Sequence, residues 1–153
     1  MNWYPLLLFV HVTAIVVWVG GMFFAYQCLR PVAAQQLAAP ERLRLWDGVF
    51  ARFFPWAWAA AVLVPFSGLS IIATIGWSAA PLRWHLMLLT GFVMIAIFLV
   101  VFFFPFRALK KGVQTQDWKS AGAALARIRQ LVGLNILLGL LTIAIATVGR
   151  LLA

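Results

Sequence analysis

The chain has 153 residues, 65% of them hydrophobic, 15% aromatic and 10% charged, with a formal net charge of +9. A soluble domain carries about 25% charged residues; the apolar excess here lies in long runs, which excludes an ordinary soluble fold and indicates one integral membrane domain over residues 1–153. The basic residues flank apolar runs and form no aromatic-interleaved patch, so they argue for orientation in a lipid bilayer and against nucleic acid as a partner.

The first apolar run begins MNWYPLLLFVHVTAIVVWVGGMFFA and contains no formal charge. A hydrocarbon core roughly 30 Å thick needs about 20 apolar residues in a helix. The run lacks a basic n-region and a clear small-x-small cleavage site, so it reads as a retained span over residues 4–27 rather than a signal peptide. A polar stretch from Arg30 to Arg52 follows. Within it Leu43, Leu45, Trp46, Val49, Phe50 and Phe53 alternate with Arg42, Arg44 and Arg52, the pattern of a helix lying on the headgroups or of a solvated turn with apolar anchors.

The second span covers residues 53–77; Pro55 and Pro65 each remove a backbone donor and predict a bend or opening, most of all at Pro65-Phe66-Ser67-Gly68. A short link leads to the third span, 85–106. A basic connection, whose stretch from Gln116 to Arg129 can run on unbroken, leads to the fourth, 130–152. The runs lack barrel alternation, so the fold class is all-α: an up-down four-helix membrane bundle. Gly20, Gly21, Gly68, Gly91, Gly133 and Gly139 suit close helix packing or close approach to a flat ring.

Ten of the twelve basic residues lie in the first and third connections: Arg30, Arg42, Arg44 and Arg52, then Arg107, Lys110, Lys111, Lys119, Arg127 and Arg129. The positive-inside rule puts those connections in the cytoplasm and both termini outside, periplasmic in a bacterial inner membrane. Trp3, Trp77 and Trp84 at the outer ends, and Trp46, Trp56 and Trp118 toward the inner side, suit interfacial belts.

The chemistry on offer is narrow. The acids are Glu41, Asp47 and Asp117, all in connections, so no intramembrane carboxylate is expected and no catalytic residue is assigned. Cys28 is the one cysteine, which excludes an intrachain disulfide and the CxxCH attachment of a c-type haem. The two histidines remain. Ionisable groups within a span are rare and are functional candidates by default. His11 lies roughly 10 Å inside the first span, at about 1.5 Å per residue, and His85 opens the third span from the same side. In a sequential up-down bundle these helices are diagonal, with axes on the order of 12–14 Å apart if neighbours are 8–10 Å apart. A flat macrocycle taking one imidazole on each side of its iron spans that gap.

His11 shares a helix face with Tyr4, Ile15, Trp18 and Met22, and His85 with Leu89, Phe92, Ala96 and Leu99; both faces can line a ring pocket or simply be bundle core. Arg83 and Arg150, the outer basic residues, can pair with a haem propionate or snorkel to headgroups. A copper site is the competing reading. His85-Leu86-Met87 joins imidazole to thioether, a donor pair that suits Cu(I), although positions two apart diverge on a regular helix.

The segment from His11 to Phe23, HVTAIVVWVGGMF, resembles the first span of CopD-type membrane proteins, which are associated with copper handling. A histidine followed seven residues later by tryptophan, with glycine nearby, is also similar to the related HemJ-type protoporphyrinogen oxidases. Trp84-His85-Leu86-Met87 resembles the HemJ pattern of tryptophan, histidine and, two residues on, lysine, with Met87 in the lysine's place. The resemblance covers most of the chain in layout and these two motifs in detail. The HemJ likeness implies b-type haem on His11 and His85; the CopD likeness implies copper.

The expectation is therefore a bis-histidine haem b protein with His11 and His85 as axial ligands and Trp18, Arg83 and Arg150 around the ring. Its role would be electron transfer or haem-dependent oxidation, a membrane oxidoreductase if it is an enzyme. Its partners would be a redox protein or a quinone- or porphyrin-type substrate, and a homo-oligomer is compatible. The alternatives are CopD-like copper transport or delivery through His11, His85 and Met87, and an assembly subunit without cofactor.

Overall fold

The computed structural model describes residues 3–150, and among them every regular element is helical. Four helical stretches are long and apolar enough to cross a membrane: Tyr4–Gln36, Ala39–Ile75, Leu82–Gln114 and Trp118–Thr147. Without water in a bilayer core each backbone donor needs an acceptor in its own segment, which is why these runs are helices.

The first stretch opens as α1, Tyr4–Phe24, with Pro5 in its first turn, where a missing N–H costs nothing. It widens into a π turn over Ala25–Leu29 and continues as α2, Arg30–Gln36. Pro31 explains the widening: it cannot donate, and its ring crowds the turn before it, so Arg30 N–H reaches back five residues to Ala25 O.

The second stretch is one helix, α3, Ala39–Ile75, continuous through Pro55 and Pro65. Near the second proline the Ser67 hydroxyl donates back into the helix, to Leu63 O at 2.5 Å. Gly76 ends α3 at φ +94°, a conformation that glycine tolerates. After a turn, α4 runs over Leu82–Phe103. Phe104 leaves helical geometry because it precedes Pro105, and α5, Pro105–Gln114, resumes the span. Then α6, Trp118–Thr147, is followed by a short 3-10 turn over Val148–Arg150.

The first span packs on the second and fourth, and the third packs on the second and fourth, so the first and third are diagonal. This is the sequential up-down order expected. The core lies along the axis. Its inner half is aromatic: Phe54 sits 5.3 Å from Phe50 (centroid to centroid), 4.7 Å from Phe106 and 5.7 Å from Phe98. Leu109, Ala121 and Ile128 seal α5 against α6.

Three expectations change. The amphipathic stretch around Leu43–Phe53 is not a separate helix on the headgroups. It is the first part of α3, and Leu43, Trp46 and Phe50 are buried in the core. Trp46 accordingly belongs to the core and not to an interfacial belt, whereas Trp3, Trp56 and Trp77 are exposed. Asp47 lies inside α3 rather than in a connection, and its Oδ1 is shielded with no partner among the described residues. Apolar residues every three or four positions read equally as a headgroup-facing or a core-facing stripe, and here the neighbouring helices supplied the core.

Two tests follow at the ends of the basic connection. A Cβ on Gly112 would stand 2.9 Å from Ala121 Cβ and 3.0 Å from Ala121 N, so Gly112→Val should destabilise the bundle by about 1–3 kcal/mol, read from thermal unfolding in detergent. Asp117 caps α6 by accepting from Ser120 N–H at 3.0 Å, and the hydrogen bonds from Ser120 hold its carboxyl below the ordinary carboxylate range. Since the folded value is depressed, the cap's contribution is present above the unfolded carboxylate value and is lost as pH falls through the folded one. Amide exchange at Ser120 should therefore speed up on acidification, and Asp117→Asn should remove that pH dependence.

Candidate functional site

The half of the bundle where α1 begins is held by a polar contact between α1 and α3. His11 Nδ1 lies 3.1 Å from Val64 O and 2.9 Å from Ser67 Oγ. A carbonyl oxygen only accepts, so Nδ1 carries the proton. Ser67, which is fully buried, donates to Leu63 O and so is free to accept from His11 as well. The neutral imidazole then has its lone pair on Nε2, which has no hydrogen-bond partner among the described residues. Gly68 makes the room: a Cβ there would stand 3.2 Å from His11 Cε1.

His85 repeats the tautomer on a different footing. Its Nδ1–H donates to Pro81 O at 3.3 Å, within its own helix, and its ring lies 5.8 Å from that of Trp77 in the preceding turn. The two imidazoles share no hydrogen bond or ring contact among the described residues. Trp18 packs edge-on against Phe98 at 6.0 Å, which sets the register between the parallel helices α1 and α4. On that register His85 stands about 9 Å nearer than His11 to the end of the bundle where α1 and α4 begin, at about 1.5 Å per residue.

The faces differ from expectation on α4. The α1 stripe points inward, with Trp18 and Met22 buried and His11 and Ile15 half-buried. On α4 the buried residues are Met94, Phe98 and Val101, and half-buried Met87 and Gly91 continue that side at helical spacing. The residues sharing a face with His85 lie elsewhere: Leu89 and Phe92 are 62% and 48% exposed. His85 and Met87 are both half-buried; by helical spacing Met87 falls on the side of Met94, Phe98 and Val101, and His85 lies against Trp77 of the connecting turn.

This arrangement does not fit a porphyrin between His11 and His85. The interior cavity lined by Trp18, Met22, Phe98 and Asn135 holds about 30 Å³. The larger groove, about 550 Å³, is lined by Pro81, Arg83, Leu86 and Gly149 and by neither histidine. Arg83 lines that groove, two residues before His85 in α4, and the side chain of Arg150 is outside the described residues. Of the six glycines thought to admit a flat cofactor ring, three admit protein rings: Gly21 takes Phe53, Gly68 takes His11 and Gly133 takes Tyr26, while Gly139 meets Val19 and Met94 and Gly20 and Gly91 meet nothing within 4 Å. Among the described residues no group of three His, Cys, Asp or Glu side chains converges as for a metal ion.

Sequence reasoning passed over Asn135 and Met94. Asn135 is 2% exposed, and its Nδ2 donates to Met94 O at 3.3 Å and lies 3.8 Å from Met22 Sδ. The available signal was a lone amide in the middle of the fourth apolar run, since polar side chains inside a span act as interhelical contacts.

Fold and site together define a polytopic membrane protein with soft and imidazole donors along its axis. The family model described as copper resistance protein D (CopD) matches residues 47–148, two thirds of the chain, and the protein belongs to that family. No curated protein and no solved structure matches it. The copper association expected from the CopD likeness thus has support in a family match that lies outside the first-span motif, and haem finds none.

The His11 notch gives a direct test. Gly68→Val should push the imidazole off Val64 O and Ser67 Oγ, and the downfield Nδ1–H resonance of His11 should shift or vanish in the variant.

Proposed function

We propose that this protein binds copper at the outer end of the bundle and passes it into or across a bacterial inner membrane. His11 is the principal ligand, Met87 supplies a thioether from the facing helix, and His85 stands at the mouth. The observation that carries the reading is the tautomer of His11. A metal-binding histidine typically donates its second ring N–H to a carbonyl or carboxylate, which orients the ring and raises its basicity. His11 does this with Val64 O inside a membrane span, leaving Nε2 as the donor. His85 does the same with Pro81 O.

Imidazole and thioether together favour Cu(I) over harder ions. The absence of a carboxylate beside His11 and Met87 suits a monovalent cation that needs little charge compensation. The side chains bind and orient, and the apolar walls exclude water. The basic connections would lie on the cytoplasmic side and both termini on the outer side, so copper would enter from outside.

Titration of the detergent-purified chain with Cu(I), against a competing chromophoric chelator, tests the proposal. His11→Ala should weaken binding by at least about tenfold, and Met87→Leu and His85→Ala by less, since losing an orienting group around a metal alone costs about 10–100-fold. Unchanged affinity in His11→Ala would overturn the assignment.

A further inference from the structure

At the end of the bundle where α4 begins and α6 ends, the two helices part around the groove of about 550 Å³. The Thr142 hydroxyl donates to Thr90 Oγ1 at 2.7 Å and ties α4 to α6. Thr90 lies one turn after Leu86 and Thr142 one turn before Ile145, so the tie stands at the end of the groove nearer the bundle's middle. Leu82, Leu86, Ile145 and Val148 give the groove apolar walls, and Arg83 is the charged residue of its lining. A Cβ on Gly149 would stand 4.0 Å from both Cβ and Cδ of Arg83, ordinary contact distance. The arginine's aliphatic stem therefore runs along the turn that follows α6, rather than snorkelling away from both helices.

This guanidinium has no ion pair among the described residues. The side-chain carboxylates of the chain are Glu41, Asp47 and Asp117. The first two stand in the opening turns of α3, and Asp117 caps the start of α6. Most of the 30 residues of α6, about 40 Å of helix, separate Asp117 from the groove. An uncompensated guanidinium beside apolar walls fits a ligand with an anionic head and an apolar tail.

We propose that this groove holds an anionic phospholipid of the surrounding bilayer, with its phosphate on Arg83 and an acyl chain between α4 and α6. Guanidinium and phosphate match in a bidentate geometry, and basic pockets between spans bind such head groups. The groove's volume falls within the roughly 300–1,000 Å³ of small-molecule sites. A zwitterionic lipid offers the same phosphate but brings a cation of its own, which a chain of net charge +9 disfavours. The bound lipid would brace α4 against α6 beyond the threonine pair. The site shares no residue with His11 and Met87, so it stands whether or not the copper reading does.

The experiment titrates the full detergent-purified chain with phosphatidylglycerol and with phosphatidylcholine of the same acyl chains, and counts bound lipid by native mass spectrometry. Phosphatidylglycerol should bind about tenfold more tightly, the discrimination that one hydrogen bond to a charged group supplies. Arg83→Gln should abolish that preference. Ala144→Phe, which fills the groove, should weaken both lipids, and Arg107→Gln, at the other end of the bundle, should change neither. These three side chains are half-buried or exposed, so the variants should fold, as unchanged lipid-free melting will show. The wild-type preference persisting in Arg83→Gln would overturn the proposal. An equal loss in Arg107→Gln would do so too, since it would mark a general charge effect. Undiminished lipid binding in Ala144→Phe would overturn the acyl-chain placement. A dimer that binds no lipid and that Ala144→Phe converts to monomer would give the groove to a second copy of the chain and sink the lipid assignment.

Discussion

The half of the molecule where α1 begins depends on one polar lock, His11 on Val64 O and Ser67 Oγ. In lipid an imidazole without partners is costly, and so is a serine hydroxyl. Here each satisfies the other, and together they tie α1 to α3 at one register. The lock needs Gly68, because any larger residue would displace the ring. It also needs Ser67 to donate to its own helix, which leaves the hydroxyl's lone pairs for His11. The same bond that fixes the helices fixes the tautomer, so packing and chemistry are one constraint.

The aromatic inner half plays the complementary role. Trp46, Phe50, Phe54, Phe98, Phe102 and Phe106 form contacts at 4.7–6.2 Å with edge-on and stacked geometry. Lipid tails are as apolar as these rings, so association comes from packing quality rather than from escape from water. Interlocked rings supply that quality and leave little void, so the small cavity beside Asn135 is bounded below by a rigid block. The polar and soft groups gather above the block.

The sequence made the number of spans, their order and the inward stripe of α1 legible, because apolar length and the 3.6-residue period carry that information directly. His11 was legible for the same reason: a titratable group inside a span stands out. The face of His85 was not. Its periodic partners Leu89 and Phe92 are as apolar as any core stripe, and a helix apolar all round gives no signal of which side meets protein and which meets lipid. The long helix through Leu43, Trp46 and Phe50 was hidden by its arginines, which point outward from a stripe that other helices cover.

That lost information bears on function. With both histidines on inward faces, a planar cofactor between diagonal helices is the economical solution; with only His11 inward, the partner across the axis is whatever α4 turns toward it. On the register set by Trp18 and Phe98, that side of α4 presents Met87, then Gly91, then Met94. About three turns further in along α1, Met22 Sδ accepts from the Asn135 amide nitrogen, which also donates to Met94 O. The side-chain donors near the axis are thus spent on the protein itself, His11 on Val64 O and Ser67 Oγ and Asn135 on Met94 O and Met22 Sδ, and such interhelical contacts hold spans together where lipid removes the hydrophobic drive.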